Sequence, residues 1–512
     1  MIHRVWVALG LFTMTMGGTL LTPLPVGAQV APYLLMGGRG HELAESLRAR
    51  GFLPSLSPLD RPYRADRVRA ALSGLDESDL SPLELSWAVQ LDSLLTHLAP
   101  VPGEGSVWRL AAAPGAHTGS SANRDPVFQW GPAGSWGHLV LEGSLSAGPV
   151  AVHTMPRVDA RPVYDLRFQG LRDPWGARLS IREEAAYAVA ELGPVTLLGG
   201  RLGRTWGPVD RGGLLLTDLE YNYDQLSWSA QWRGFRATQL VGALDRVLGV
   251  SRYLVAHRLE GPLPQGGAWA VSRSHVRATR QRLSRDLLDP THSPGSNDLL
   301  SLEALQPVWP GGEVFGQLLL DRPTVPAPLP AGDVPMTSGP RAGDAWAWEA
   351  GIRDMGGLQP LDLELTYTRV PAQAYRPVQN SLELYTFWNT GLGADRSDFD
   401  RVLLRVGGHV NPYTRLTLEL ERHRQGGGDP RLLRARVPGN PGQDPPVLLA
   451  SRISLDARVR VGSGGELRTR WGPIHRGLRV WAPDVPEGWR LEGWLMYRHT
   501  LSVGGSLQGG GP

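Results

Sequence analysis

From about residue 106 onward, apolar and polar residues alternate in short runs separated by breaks rich in Gly and Pro. Leu361, Leu363, Leu365 and Tyr367 interleave with Asp362, Glu364, Thr366 and Thr368, and Ile453, Leu455, Ala457, Val459 and Val461 oppose Ser454, Asp456, Arg458 and Arg460. Val402, Leu404, Val406 and Val410 form one row, with Arg405 and His409 on the other side. Leu416, Leu418 and Leu420 alternate with Thr417, Glu419 and Glu421, and Trp489, Leu491, Leu495, Tyr497, Leu501 and Val503 share one face. Successive side chains of a strand point to opposite sides, so a sustained period of two predicts strands with one apolar and one polar face. Tyr497 and Leu501 are expected to end the last of them, followed by a Gly-rich tail without the terminal aromatic that barrel assembly often uses.

The segment before this region follows a different period. "GHELAESLRARG" reads as a helix ended by Gly51 in a left-handed cap, and "RPYRADRVRAAL" as a second helix. In "SPLELSWAVQLDSLLTHL", Ser81 is placed as N-cap, Pro82 at the first helical position and Glu84 as its capping-box partner. Trp87, Leu91, Leu94, Leu95 and Leu98 then fall on one face. A small helical domain over 29–104 and a β domain over 105–512 follow from this change of period.

Alternation alone also suits a soluble β-sandwich or propeller. Three features favour a membrane barrel. Aromatics recur near strand ends (Trp136, Trp175, Trp228, Trp232, Trp269, Trp388, Trp481, Tyr497), where barrels carry interfacial girdles. Short turns such as "SAGPVAV" and "AELGPVT" contrast with long connections such as "RPTVPAPLPAGDVPMTSGPRAGD" and "RQGGGDPRLLRARVPGNPGQDPP". Residues 1–28 form a short n-region with Arg4, an apolar core from Val5 to about Met16 and a small-residue end at Val26-Gly27-Ala28, the pattern of a cleaved secretory signal. The expected fold is therefore an all-β transmembrane barrel of antiparallel strands with a small N-terminal α-helical domain.

Composition narrows the chemistry. The chain has no cysteine, which excludes disulfides, thiolate nucleophiles and Cys-based zinc sites. It has no lysine, so all 52 basic residues are arginine and no P-loop motif can exist. A net charge of +3 gives no argument for nucleic acid as a partner. No G-x-S-x-G elbow precedes a helix, and "HELAE" lacks the second histidine of a zinc protease motif, so no catalytic, metal or cofactor site is expected. Pairs such as Asp362 with Glu364 and Glu419 with Glu421 share a strand face at a spacing open to glycosidase chemistry, although a charged lumen is the plainer reading.

The stretch "GRLGRTWGPVDRGGLLLTD", residues 200–218, is read as a tight passage between two strands, with its leucines starting a lipid-facing row. With the signal sequence, the helical segment and the long alternating region, the residues Gly200, Arg201, Trp206, Gly207, Pro208, Gly212, Gly213, Leu214, Leu215 and Leu216 resemble the capsule-assembly Wzi family of Gram-negative outer-membrane proteins. Residues 389–426 are also similar to that family's C-terminal strands. The resemblance implies about 18 strands, a periplasmic helical bundle and a lectin-like role in attaching capsular polysaccharide to the cell surface. Partners would then be capsular or other surface polysaccharide, outer-membrane lipid and lipopolysaccharide, and the barrel-assembly machinery.

Candidate polysaccharide contacts are Arg201, Arg204, Trp206 and Arg211, since an aromatic face suits a sugar ring and arginine suits a uronate. "WGPVDRG" is echoed by "WGPIHRG", so Trp471 and Arg476 are expected to join Trp206 and Arg211 on one rim, or else to mark two Trp-Gly-Pro turns at the membrane interface. Arg273, Arg277, Arg280 and Arg282 (with Arg285) offer a second surface for an acidic polymer or for lipopolysaccharide phosphates. An outer-membrane porin for oligosaccharides and a secreted glycan-processing enzyme are the alternative functions.

Overall fold

A computed structural model describes residues 29–507 except 101–104, 123–130, 166–167, 169, 172–175, 177, 210–211, 220, 280–296, 323–344, 357–360, 376–380, 389, 427–447, 463 and 479–486. The expected signal sequence, the two long connections, Trp175, Trp481, Arg211, Arg280, Arg282, Arg285 and residues 508–512 lie outside these.

Three helices form, α1 (Arg39–Ala49), α2 (Ala65–Leu72) and α3 (Pro82–Leu95); α2 begins at Ala65 rather than Arg61 because Asp60–Arg61 pairs as a strand instead. Gly51 sits at φ +90°, and the amide N–H groups of Gly51 and Phe52 close the end of α1 by donating to Arg48 and Leu47. Ser81 and Glu84 form the capping box at the start of α3, with Pro82 at its first turn. The buried faces meet around Leu43, Leu47, Leu53, Trp87, Leu91 and Leu95.

The remaining chain closes into an antiparallel barrel of eighteen strands. In chain order they are β1 (Ser106–Gly119), β2 (Gly134–Ala147), β3 (Val150–Asp159), β4 (Ser180–Leu192), β5 (Val195–Arg201), β6 (Asp224–Trp232), β7 (Phe235–Val247), β8 (Val250–Pro262) and β9 (Ala268–Thr279). Then follow β10 (Asp298–Trp309), β11 (Gly312–Arg322), β12 (Ala345–Asp354), β13 (Leu361–Val370), β14 (Phe399–Asn411), β15 (Thr414–Gln425), β16 (Leu448–Val461) and β17 (Gly465–Leu478). The last strand, β18, has two parts, Gly488–His499 and Leu501–Leu507, interrupted at Thr500. Both parts pair with β1 and so close the barrel: Trp494–Arg498 against Gly115–Gly119, and Leu501–Leu507 against Ser106–Ala112. The last strand thus runs past Leu501 to Leu507, because the Gly-rich segment still finds a hydrogen-bonding edge on β1.

The two ends of the barrel differ. Short turns join Ala147 to Val150, Leu192 to Val195, Trp232 to Phe235, Trp309 to Gly312 and Asn411 to Thr414 at one end. At Arg233 and Gly234 both φ angles are positive, 49° and 87°, the geometry a two-residue hairpin needs. All but one of the connections at the other end are longer; the exception is the turn from Val247 to Val250.

Leu361, Leu365, Val402, Leu416, Ile453, Leu455, Trp489 and Leu491 are exposed on the outer wall, while Asp362, Thr366, Glu419, Glu421 and Arg458 are buried in the interior. Such an apolar exterior suits hydrocarbon rather than water. Trp228, Trp232 and Tyr497 belong to that exterior. Trp136 does not: it is buried and stacks on His117. Trp388 is also no girdle residue, since it packs on an aromatic cluster of the interior.

Candidate functional site

The helical segment sits in the short-turn mouth of the barrel, held by buried charge. Glu45 of α1 accepts hydrogen bonds from Arg48 Nη2 (2.9 Å), Arg61 Nη2 (2.9 Å), Tyr63 Oη (2.5 Å) and Arg353 Nη1 of the wall (3.4 Å). Burial alone would raise the Glu45 carboxyl, but the guanidinium groups of Arg48, Arg61 and Arg353 outweigh it and hold the group well below the usual carboxylate range. Arg48 reaches across to Glu313 of β11 (2.8 Å), and Arg50 to Asp362 of β13 (2.8 Å). Trp87 lies against His409 of β14, ring centroids 4.6 Å apart.

From the opposite end, residues 202–209, 212–219 and 221–223 fold into the lumen to meet this plug. Asp60–Arg61 pairs antiparallel with Thr205–Trp206, the Gly207 amide donates to Leu59 O (3.0 Å), and Arg61 Nη1 donates to Gly207 O (2.8 Å). Trp206 is fully buried, with the Arg258 guanidinium 5.3 Å from its ring centroid. Leu214, Leu215 and Leu216 are buried in the lumen's apolar cluster. The backbone around them is satisfied by side chains: Leu214 N donates to Gln317 Oε1 (2.7 Å), and the hydroxyls of Tyr375 (2.5 Å) and Tyr385 (2.9 Å) donate to Leu214 O and Leu215 O. A Cβ at Gly213 would lie 2.7 Å from the carbonyl oxygens of both Trp206 and Leu216, so the fold of this loop requires glycine there.

Residues 200–218 are not a tight passage between strands, and the three leucines do not begin a lipid-facing row. They form the apolar filling of the barrel, which a single-chain hydropathy pattern cannot tell from a lipid-facing run because both surroundings are dry.

The other candidate residues are dispersed. Arg201 pairs with Asp224 (3.0 Å) between β5 and β6. Arg204 is buried, donating to Ser227 Oγ (3.2 Å) with its guanidinium 5.8 Å from the Tyr33 ring centroid. Arg273 pairs with Asp298 (2.8 Å) on neighbouring strands, and Arg277 lies half-buried further along β9. "WGPIHRG" is not a turn at all: it lies within β17, whose Gly472 packs so near Ile453 O that a Cβ would come within 1.8 Å. Trp471 is partly exposed, and Arg476 is buried in a two-pronged pair with Glu492 (both contacts 2.7 Å). Trp206 and Trp471 therefore share no rim, and neither marks a turn at the membrane interface.

The paired carboxylates of the wall are saturated. Glu419 meets Arg405 (3.2 Å), Arg470 (3.1 Å) and Arg452 (3.3 Å), Glu421 meets Arg452 (2.7 Å), and Glu364 meets Arg405 (2.8 Å). Such groups neutralise one another, which is what a filled charged lumen requires. The roles of Arg61, Arg258, Tyr375 and Tyr385 are not legible in the sequence, because their partners at Gly207, Leu59, Leu214 and Leu215 lie far along the chain.

The closed strand set, apolar exterior and arginine-rich interior define an outer-membrane-type β-barrel, here with a filled lumen. Its fold is similar to that of Wzi from Escherichia coli, described as an outer-membrane protein involved in group 1 capsule assembly and a carbohydrate-binding β-barrel. The TM-score is 0.62 at 14% identity, over 94% of this chain and 100% of that one. The outer-membrane protein OpdK of Pseudomonas aeruginosa (TM-score 0.45, 10% identity, 78% of this chain and 99% of that one) and a BenF-like porin of Pseudomonas fluorescens (0.46, 12%, 78% and 99%) also align. No family model matches the sequence, and no curated protein matches it significantly.

Proposed function

We propose that this protein is a non-catalytic outer-membrane barrel that binds or anchors a polysaccharide at the cell surface. The observation that carries the reading is the filled lumen: α1, residues 57–61 and residues 202–209 and 212–219 meet inside the barrel, which leaves the long-loop end as the surface for a partner. The shared fold with a carbohydrate-binding barrel supports the same conclusion. In this reading the short-turn end and the helical domain face the periplasm, export uses the signal sequence at 1–28, and insertion uses the barrel-assembly machinery. A polymer would be held by many weak contacts acting together, so retention depends on avidity more than on any one site. The test is to delete the gene in its host and compare cell-bound with released polysaccharide. A shift toward the released fraction is expected, and unchanged partitioning would overturn the anchoring role.

A further inference from the structure

We propose that Trp388 is a stacking platform for an uncharged pyranose unit of the bound polymer; this rests on the polysaccharide reading above and gives it a site. Three observations meet at this residue. Trp388 is the one partly exposed apolar side chain, among the described residues, that packs against the lumen's aromatic cluster. Phe387 stacks on it with centroids 4.7 Å apart, and Phe168 and Tyr221 pack beside it at 5.7 and 5.9 Å. A buried aromatic bed thus holds the indole rigid while part of it stays uncovered, the arrangement by which an aromatic face receives the C–H face of a sugar.

The second observation is strain. Trp388 has φ +47°, a left-handed conformation that is rare for a bulky side chain and persists only where its surroundings impose it. The third observation is what imposes it. Arg252 of the barrel wall donates through Nε to Leu382 O (2.6 Å) and through Nη2 to Thr386 O (3.0 Å) and to Leu384 O. Its partner Asp245 (2.6 Å) accepts from the Trp388 amide (3.3 Å). One ion pair of the wall therefore clamps both the approach to Trp388 and its own backbone.

The charge around the platform selects the ligand. Arg252 is matched by Asp245, and Arg182, which lies 5.2 Å from the Tyr221 ring centroid, shares the two carboxylates of Glu184 (2.7 Å) and Asp159 (3.9 Å) with Arg157. With these cations engaged, the site favours a neutral hexose over a uronate.

The experiment uses the full-length barrel in detergent and oligosaccharides released from the host's own surface polysaccharide, separated into neutral and uronate-containing pools. Binding is measured by titration calorimetry for the natural protein and for Trp388→Gly, Trp388→Ala and Trp388→Phe, each first checked for heat-modifiable gel mobility. Trp388→Gly relaxes the backbone while removing the ring, so the loop keeps its conformation. The neutral pool is expected to bind about tenfold more weakly to the Gly and Ala variants, with Phe retaining most of the affinity. If the natural protein binds and all variants match it, the platform is wrong while the polysaccharide reading stands. If only the uronate pool binds, the ligand class is overturned. If neither pool binds the natural protein, the polysaccharide reading falls and the platform with it.

Discussion

Leu215 separates two kinds of apolar residue that look identical in the sequence. On a lipid-facing row its truncation would cost little, since acyl chains refill the space. Buried in the lumen cluster, it leaves a cavity that the rigid wall cannot close. Leu215→Ala is therefore expected to cost about 2 to 5 kcal/mol, read as a lowered midpoint in urea unfolding of the purified barrel, whereas Leu416→Ala on the outer wall should change it much less. Equal effects would return the leucines to the lipid face. The same ambiguity explains Trp206 and Trp471, which sit in near-identical heptapeptides yet occupy a dry lumen loop and the outer face of a strand. The residues around them agree in kind, and only long-range pairing separates them.

At the scale of elements, the helical segment is docked through Glu45, whose carboxyl is ionised beside three guanidinium groups. A carboxyl whose pKa is depressed in the folded state contributes stability above its unfolded pKa and loses that contribution as pH falls through the folded one. Docking of the helical segment against the barrel wall is thus expected to hold from neutral pH down to about pH 4, the ordinary carboxylate value, and to weaken only below it. Pulsed proteolysis or hydrogen exchange of residues 39–95 between pH 7 and pH 2 would measure this, and release already at pH 6 would contradict it. The elements themselves were legible in the sequence. Capping at Ser81 and Gly51 is local chemistry, and the inward and outward rows of β13, β15 and β16 follow from alternation. What alternation cannot carry is the meeting of residues 59–61 with 205–208, or the aromatic bed under Trp388, because both depend on segments that pair only once the barrel is closed.

For the whole molecule, filling the lumen has an electrical consequence. Eighteen strands enclose enough space for an aqueous channel when nothing occupies it. Here a helical plug from one end and an inward loop from the other meet by backbone pairing, with buried arginine–carboxylate contacts around them. Planar-bilayer recordings are expected to give conductance far below that of an open barrel with the same number of strands. Steady, porin-sized steps would favour the transport alternative instead.

The seam between β1 and β18 fixes an order of events in biogenesis. The strand that begins at Ser106 finds its final neighbour only in Gly488–Leu507, about 380 residues later, so the sheet keeps two open edges until that segment is available to pair. The helices precede that seam and the inward loop lies between its halves. The lumen contents must therefore already be in place, or follow through the wide mouth, when the two edges finally zip together.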